Sequence, residues 1–275
     1  MTFATHYSPT RRRANTAKQL NPGALMLVAL FLLGFSENVR SENATNASAL
    51  RAEAAFHTHQ QAYPASRTNA ESAWQFARAC FDWAEFATND TQRAQLAQLG
   101  IKASRAVLAQ NSNSLQGRYY LGMNLGQLAR TKSLGALPLV DQMEVEFKIA
   151  RTLDEKFDFA GPDRNLGLLY FEAPSIGSIG SRSKARIHLQ RAVELTPEFP
   201  ENRLNLAEAR VRWRDREGAR REVDALEAGL TQAHASFTGD AWAAAWIDWE
   251  RRLQKLRTQL QAAPKPVSSP KGATQ

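Results

Sequence analysis

The chain has 275 residues, 43% apolar and 23% charged, a globular composition that excludes a disordered polypeptide and allows a substantial core. Its net charge of +8 belongs to the ends: residues 1–20 carry +4 and residues 251–275 carry +6, with no acid in either, so the remainder stands at −2. A body so close to neutrality lacks the basic footprint of a phosphate-backbone binder, and nucleic acid is not an expected partner. Cys80 is the only cysteine, which excludes an intrachain disulfide and a cysteine-rich metal site. It lies in the apolar helical run Trp74–Trp83 and reads as a buried, inert thiol.

Residues 1–22 are polar and basic, and Gly23–Phe35 is an uninterrupted apolar block. The block is shorter than the roughly 20 residues of a comfortable membrane span. It has the form of a secretory h-region behind a basic n-region, with Gly34 and Ser36 as the small residues before a cut after Ser36. An uncleaved anchor with its basic end in the cytoplasm is the alternative. Both predict an exported chain, periplasmic or held to the membrane by residues 23–35, with residues 1–36 as signal or anchor. Residues 37–69, rich in Ser, Asn, Ala and Thr, predict a linker leading into a first amphipathic helix. His57 and His59 are two apart, on opposite sides of a helix, and predict no shared metal.

From residue 70 to residue 262 the apolar period is helical. Leu166, Gly167 and Tyr170 stand at the L-G-x2-Y spacing of a tetratricopeptide (TPR) first helix, and Ala185, Leu189, Ala192 and Pro197 stand where its second helix packs and stops. Leu121-Gly122 with Leu125, then Met143, Phe147 and Ala150, repeat the unit; so do Leu206-Ala207, then Ala219, Val223 and Leu226. With Arg78, Gly122, Gly167 and Ala207 as equivalents, the excess over the regular repeat falls into two insertions, Lys132–Pro138 and Pro174–Ser183. A last helix is predicted from an N-cap at Asp240. Trp242, Trp246, Trp249, Leu253, Leu256 and Leu260 form one seam on it, suited to a solenoid cap. Residues 263–275, Pro- and Ser-rich, read as a disordered tail. The predicted fold is all-α: TPR-like repeats in a short right-handed solenoid with a C-terminal capping helix.

No catalytic motif is visible, and the reading is of a non-enzyme with no cofactor and no metal site. The Gly/Ser loop Ser175–Ser183 before Lys184 lacks phosphate-loop spacing and reads as a connection. Asp158 and Asp163 are expected to complement a helix N-terminus. The Arg210–Arg221 run mixes signs and reads as a solvated face. In a TPR array the first helices line the concave surface. That rule predicts a groove of Tyr119, Met123 and Gln127, then Arg164, Leu168, Phe171 and Glu172, then Glu208 and Arg212. Arg164 either meets a ligand there or pairs with Asp158, Asp163 or Glu172.

The run Asp158–Pro174 (DFAGPDRNLGLLYFEAP), a Gly-rich loop, and then A-x6-A-V-E-L-x-P resemble the TPR-containing T-component (TatT-type) proteins of tripartite ATP-independent periplasmic (TRAP) transporters. The resemblance covers roughly residues 70–230, with residues 158–197 its specific part. It implies an exported, membrane-tethered, all-helical accessory that works beside a periplasmic solute-binding protein. That family's usual tether is a lipidated cysteine, which this sequence lacks. The groove also allows a second role, as a carrier of an apolar small molecule through a channel in the array, and a homo-oligomer is allowed as well.

Overall fold

The computed structural model describes residues 39–65, 69–132 and 135–262. The signal or anchor expected in residues 1–36 and the tail expected in residues 263–275 lie outside the described residues. Among the described residues there are ten α-helices and no strand. They are α1 (Val39–Ala65), α2 (Ala70–Ala84), α3 (Asp90–Gln110), α4 (Leu115–Arg130), α5 (Leu137–Leu153), α6 (Phe157–Glu172), α7 (Arg182–Leu195), α8 (Pro200–Arg212), α9 (Arg216–Ser236) and α10 (Ala243–Gln261). No described helix is long and apolar enough to cross a membrane.

Side chains set many of the boundaries. Asn69, Asn89, Ser114, Ser181 and Asp215 cap α2, α3, α4, α7 and α9 by accepting a first-turn N–H. Prolines open α5 and α8, where a missing N–H costs no helical hydrogen bond. The helices pack as pairs, α2 with α3, α4 with α5, α6 with α7 and α8 with α9, and each pair stacks on the next. The predicted helical-repeat solenoid is therefore the observed fold. In two pairs a glycine sets how close the helices come. A Cβ on Gly122 would lie 2.7 Å from the Phe147 ring, and one on Gly167 would lie 2.7 Å from Leu189 Cγ and 2.9 Å from its backbone nitrogen.

Three expectations need correction. Residues 37–69 are not a linker: α1 occupies most of that segment, because Phe56 and Tyr63 reach Phe76, and Phe56 also reaches Trp83. Composition hid this helix, since among its described side chains only Ala52 and Phe56 are buried. Arg78 does not act like the glycines it aligns with; it pairs with Asp82 at 3.5 Å and lies over the Tyr120 ring. Asp240 does not cap α10, which starts at Ala243 behind Trp242 and a turn around Gly239.

The seam on α10 is a cap, as predicted. Trp242, Trp249, Leu253, Leu256 and Leu260 are buried against Phe199, Leu204, Val223, Leu226 and Phe237. Arg252, 3% exposed, pins α10 to α8 through Glu208 (3.0 and 2.7 Å) and Asn205 (2.5 Å). At the other end α1 lies on α2 and also touches the α10 region, where Arg51 donates to the Asp240 carbonyl at 2.9 Å.

The glycine contacts generate a paired prediction. Gly167→Ala drives a methyl into backbone and is expected to destabilise the fold by about 1–3 kcal/mol. Gly229→Ala, in α9 with open space around the new Cβ, is expected to stabilise it by about 0.5–1 kcal/mol. Urea unfolding of both variants checks the pair.

Candidate functional site

The first helices of the second and third repeats, α4 and α6, present their inward positions in two zones. The zone near their N-termini is closed by polar contacts. Asp158, Phe159 and Ala160 take left-handed backbone angles (φ 50, 56 and 60°), so the right-handed part of α6 begins beyond them, where Pro162 fits a first turn. Arg164, 2% exposed, donates to the Asp158 and Phe159 carbonyls, both at 3.0 Å, and to the Asp158 carboxylate at 2.8 Å. Tyr119 donates to the same carboxylate at 2.5 Å and accepts from Asn165 at 3.0 Å. Thr196 and Asn202 each add a 3.0 Å bond to the Phe159 carbonyl, and the Phe159 ring stacks 4.5 Å from Phe199.

Two predicted groove residues thus lie in the interior. Tyr119 and Arg164 hold the turn and face no open surface. Of the partners predicted for Arg164, Asp158 is the real one; Asp163 instead holds Arg151 (3.1 Å) and His188 (2.6 Å). That buried carboxylate ties α5, α6 and α7 together, and the His188 ring lies against Tyr170, so the pair serves packing. Asp158 and Asp163 accordingly spend their oxygens on side chains rather than on helix N–H groups.

Gln127 is also buried, donating to Glu85, which Arg130 reaches at 3.1 Å. Burial pushes the Glu85 carboxyl up to about 8 against the pull of Arg130 and Arg93. Glu208 is taken by Arg252. Phe171, Glu172 and Arg212 do meet: the Arg212 guanidinium lies 3.9 Å over the Phe171 ring and forks onto both Glu172 oxygens at 2.9–3.1 Å.

The second zone, near the C-termini of α4 and α6, is open. A cleft of about 540 Å³ separates the second and third repeats, and the predicted Met123, Leu168 and Glu172 line it. Its other apolar walls are Val140, Met143 and Phe147 of α5 and Leu169 of α6, with Arg130 and Lys132 at the rim. The cleft exists because the facing residues Gly126, Ala129, Ala136 and Ala173 are small. The volume falls in the range of small-molecule and side-chain pockets. A second, smaller cleft of about 410 Å³ lies between α9 and α10, walled by Leu226, Leu230, Trp246, Trp249 and Leu253.

The first-helix rule missed the α5 wall because it counts only one helix of each pair. The insertion after Lys132 was the signal that could have located it. Among the described residues no group of three His, Cys, Asp or Glu is placed to hold a metal. Cys80 is fully buried, and burial pushes its thiol upward, away from reactivity.

No protein-family model matches the chain, and no curated protein matches it in sequence. Its fold is similar to that of TTC0263, a thermophilic TPR protein of Thermus thermophilus. The two are 18% identical with a TM-score of 0.56, over 79% of this chain and 99% of that one. MamA aligns at 14% identity and a TM-score of 0.47, over 72% of this chain and 98% of the other. The first likeness agrees with the geometry above: the chain has a TPR-type helical-repeat fold.

The polar interior generates two tests of stability. Arg164→Ala leaves the Asp158 carboxylate without its counter-charge and removes a donor from the Asp158 and Phe159 carbonyls, and it is expected to cost about 3–5 kcal/mol in urea unfolding. Glu201, 2% exposed, lies near Arg164 and Arg252, yet burial pushes its carboxyl from 4.5 up to about 7. Between those values the folded chain keeps a proton that the unfolded chain has lost. Its stabilising share is whole below about pH 4.5 and declines as pH rises through about 7. Glu201→Gln is expected to be more stable than wild type at pH 8, by about 1–3 kcal/mol, with no gain at pH 4. Thermal melts across that range measure it.

Proposed function

We propose that the chain is a non-enzymatic binding scaffold that takes a protein partner into the cleft between its second and third repeats. The observation that carries this reading is the cleft itself. It is a concave surface with apolar walls at Met123, Met143, Phe147 and Leu168, beside a solenoid whose other inward positions are filled by internal contacts. Leu137, which lines the cleft and is 45% exposed, adds apolar area that a partner would cover. The basic and apolar leader in residues 1–36 supports an exported protein, periplasmic or anchored through residues 23–35.

In its most concrete form the scaffold is an accessory of a TRAP-type periplasmic transport system, acting beside a solute-binding protein. The sequence likeness of residues 158–197 to T-component proteins supports this form. Copurification from native membranes tests it: recovery of a solute-binding protein is expected, and its absence from a clean preparation would sink the transport role.

The cleft's size and apolar lining also favour a second reading, carriage of an apolar small molecule. Native mass spectrometry of the purified chain distinguishes the two, since a carrier retains bound solute and a protein-binding scaffold does not. For either reading Ala129→Phe, which fills the cleft, is expected to reduce binding by roughly tenfold or more while leaving helicity unchanged. Unimpaired binding in that variant would place the site elsewhere.

A further inference from the structure

A basic and aromatic patch adjoins the cleft, and the two surfaces share Ala173. Trp213, after α8, lies between guanidiniums: Arg182 at 5.5 Å and Arg186 at 5.6 Å from its ring, with Arg182 also donating to its carbonyl at 3.2 Å. Arg212 covers the neighbouring Phe171. Arg182, Arg186 and Arg214 are exposed, and none of them forms an ion pair with a described acid. Nearby carboxylates are already taken, Glu172 by Arg212 and Asp215 by Arg210.

The arrangement gathers exposed positive charge at one place without a paired carboxylate. Arg182 and Arg186 are like charges one helical turn apart, and both gather over one indole instead of spreading into solvent. A guanidinium lying on an aromatic ring keeps its N–H edge available, and that edge is the part that forks onto a carboxylate. The remainder of the chain between its basic ends carries a net charge of −2, so this cluster is local.

We propose that this surface, continuous with the apolar cleft, recognises an acidic peptide segment. Leucine- or methionine-like side chains enter the cleft, and flanking aspartates or glutamates meet Arg182, Arg186 and Arg214. The proposal rests on the scaffold reading and adds the partner's chemistry to it. A membrane fits less well, because the apolar part is a recessed cleft and not a protruding face. A nucleic acid fits less well, because guanidiniums already lie over the aromatic rings that bases would stack on.

The test is fluorescence anisotropy of the full chain with two labelled peptides, one of leucines flanked by glutamates and the same peptide with every glutamate replaced by lysine. The acidic peptide is expected to bind tighter, with salt-sensitive affinity. The double variant R182E/R186E is expected to weaken it by roughly tenfold or more while improving the lysine peptide. Equal binding of the two peptides, an unaffected double variant, or no binding of the acidic peptide overturns the inference. Preference for oligouridylate or for phosphatidylglycerol vesicles over the acidic peptide overturns it too. The scaffold reading fails separately, if Ala129→Phe leaves peptide binding unimpaired; if Ala129→Phe releases both peptides while R182E/R186E changes neither, the cleft stands and the acidic specificity falls.

Discussion

The Arg164 guanidinium is the contact around which the two halves of the array are joined. Three successive left-handed residues, Asp158, Phe159 and Ala160, cost about 1–2 kcal/mol each, because a Cβ crowds the following carbonyl in that conformation. No glycine relieves the turn. The compensation comes from convergence: Arg164 takes two carbonyls and a carboxylate, and Tyr119, Thr196 and Asn202 bring α4, the end of α7 and α8 onto the same few atoms. Strain of this kind persists only where its surroundings over-determine it. Here the surroundings are three consecutive repeats, so the turn fixes how the second repeat sits against the third and fourth.

That constraint bears on where the array stays open. The turn fills the space between the N-terminal ends of α4 and α6, and the cleft lies toward their other ends. The residues there are small or flexible, so the gap is not filled. At Gly126 the neighbour is a flexible one: the side chain nearest its missing Cβ is the tip of Met143, at 3.0 Å. Closure at one end of the helix pair by polar contacts thus stands beside an open cleft lined by small residues at the other. Two buried carboxyls lie near the closed side. Asp82 is pushed up to about 6 and Glu201 to about 7, each chiefly by burial, and both feel the negative charge of Asp158.

Much of this architecture was legible in the sequence, because the repeat is written in residues whose size matters. Gly122 and Gly167 mark close helix contacts, and the tryptophan and leucine seam after residue 242 marks a cap. The site was less legible. The rule that first helices line the groove named Met123, Leu168 and Glu172, which line one cleft, together with Tyr119, Gln127 and Arg164, which are held in interior polar contacts. The error has one physical source. Sequence spacing says which way a residue faces, but whether that space is empty depended on a left-handed turn with no glycine or asparagine to announce it. Helix α1 was hidden for the opposite reason, since a helix held by Phe56 and Tyr63 needs little apolar periodicity.

The two ends of the array sharpen the point about recognition. An open TPR solenoid offers its whole concave face to an extended peptide, and its terminal repeats need covering. In this chain the cap is anchored from inside by Arg252, and α1 reaches it from the opposite end through Arg51. The first and last described helices therefore meet, and the inner face between them is occupied by Arg78, Tyr119, Arg164 and Glu201, each in electrostatic interaction with Asp158. Threading a long segment through that interior would separate buried charges from their partners, at several kcal/mol for each pair broken. A partner that engages the cleft and its rim breaks none of them. The same polar core that closes the array leaves the cleft proposed for a partner outside it, at the junction of the second and third repeats.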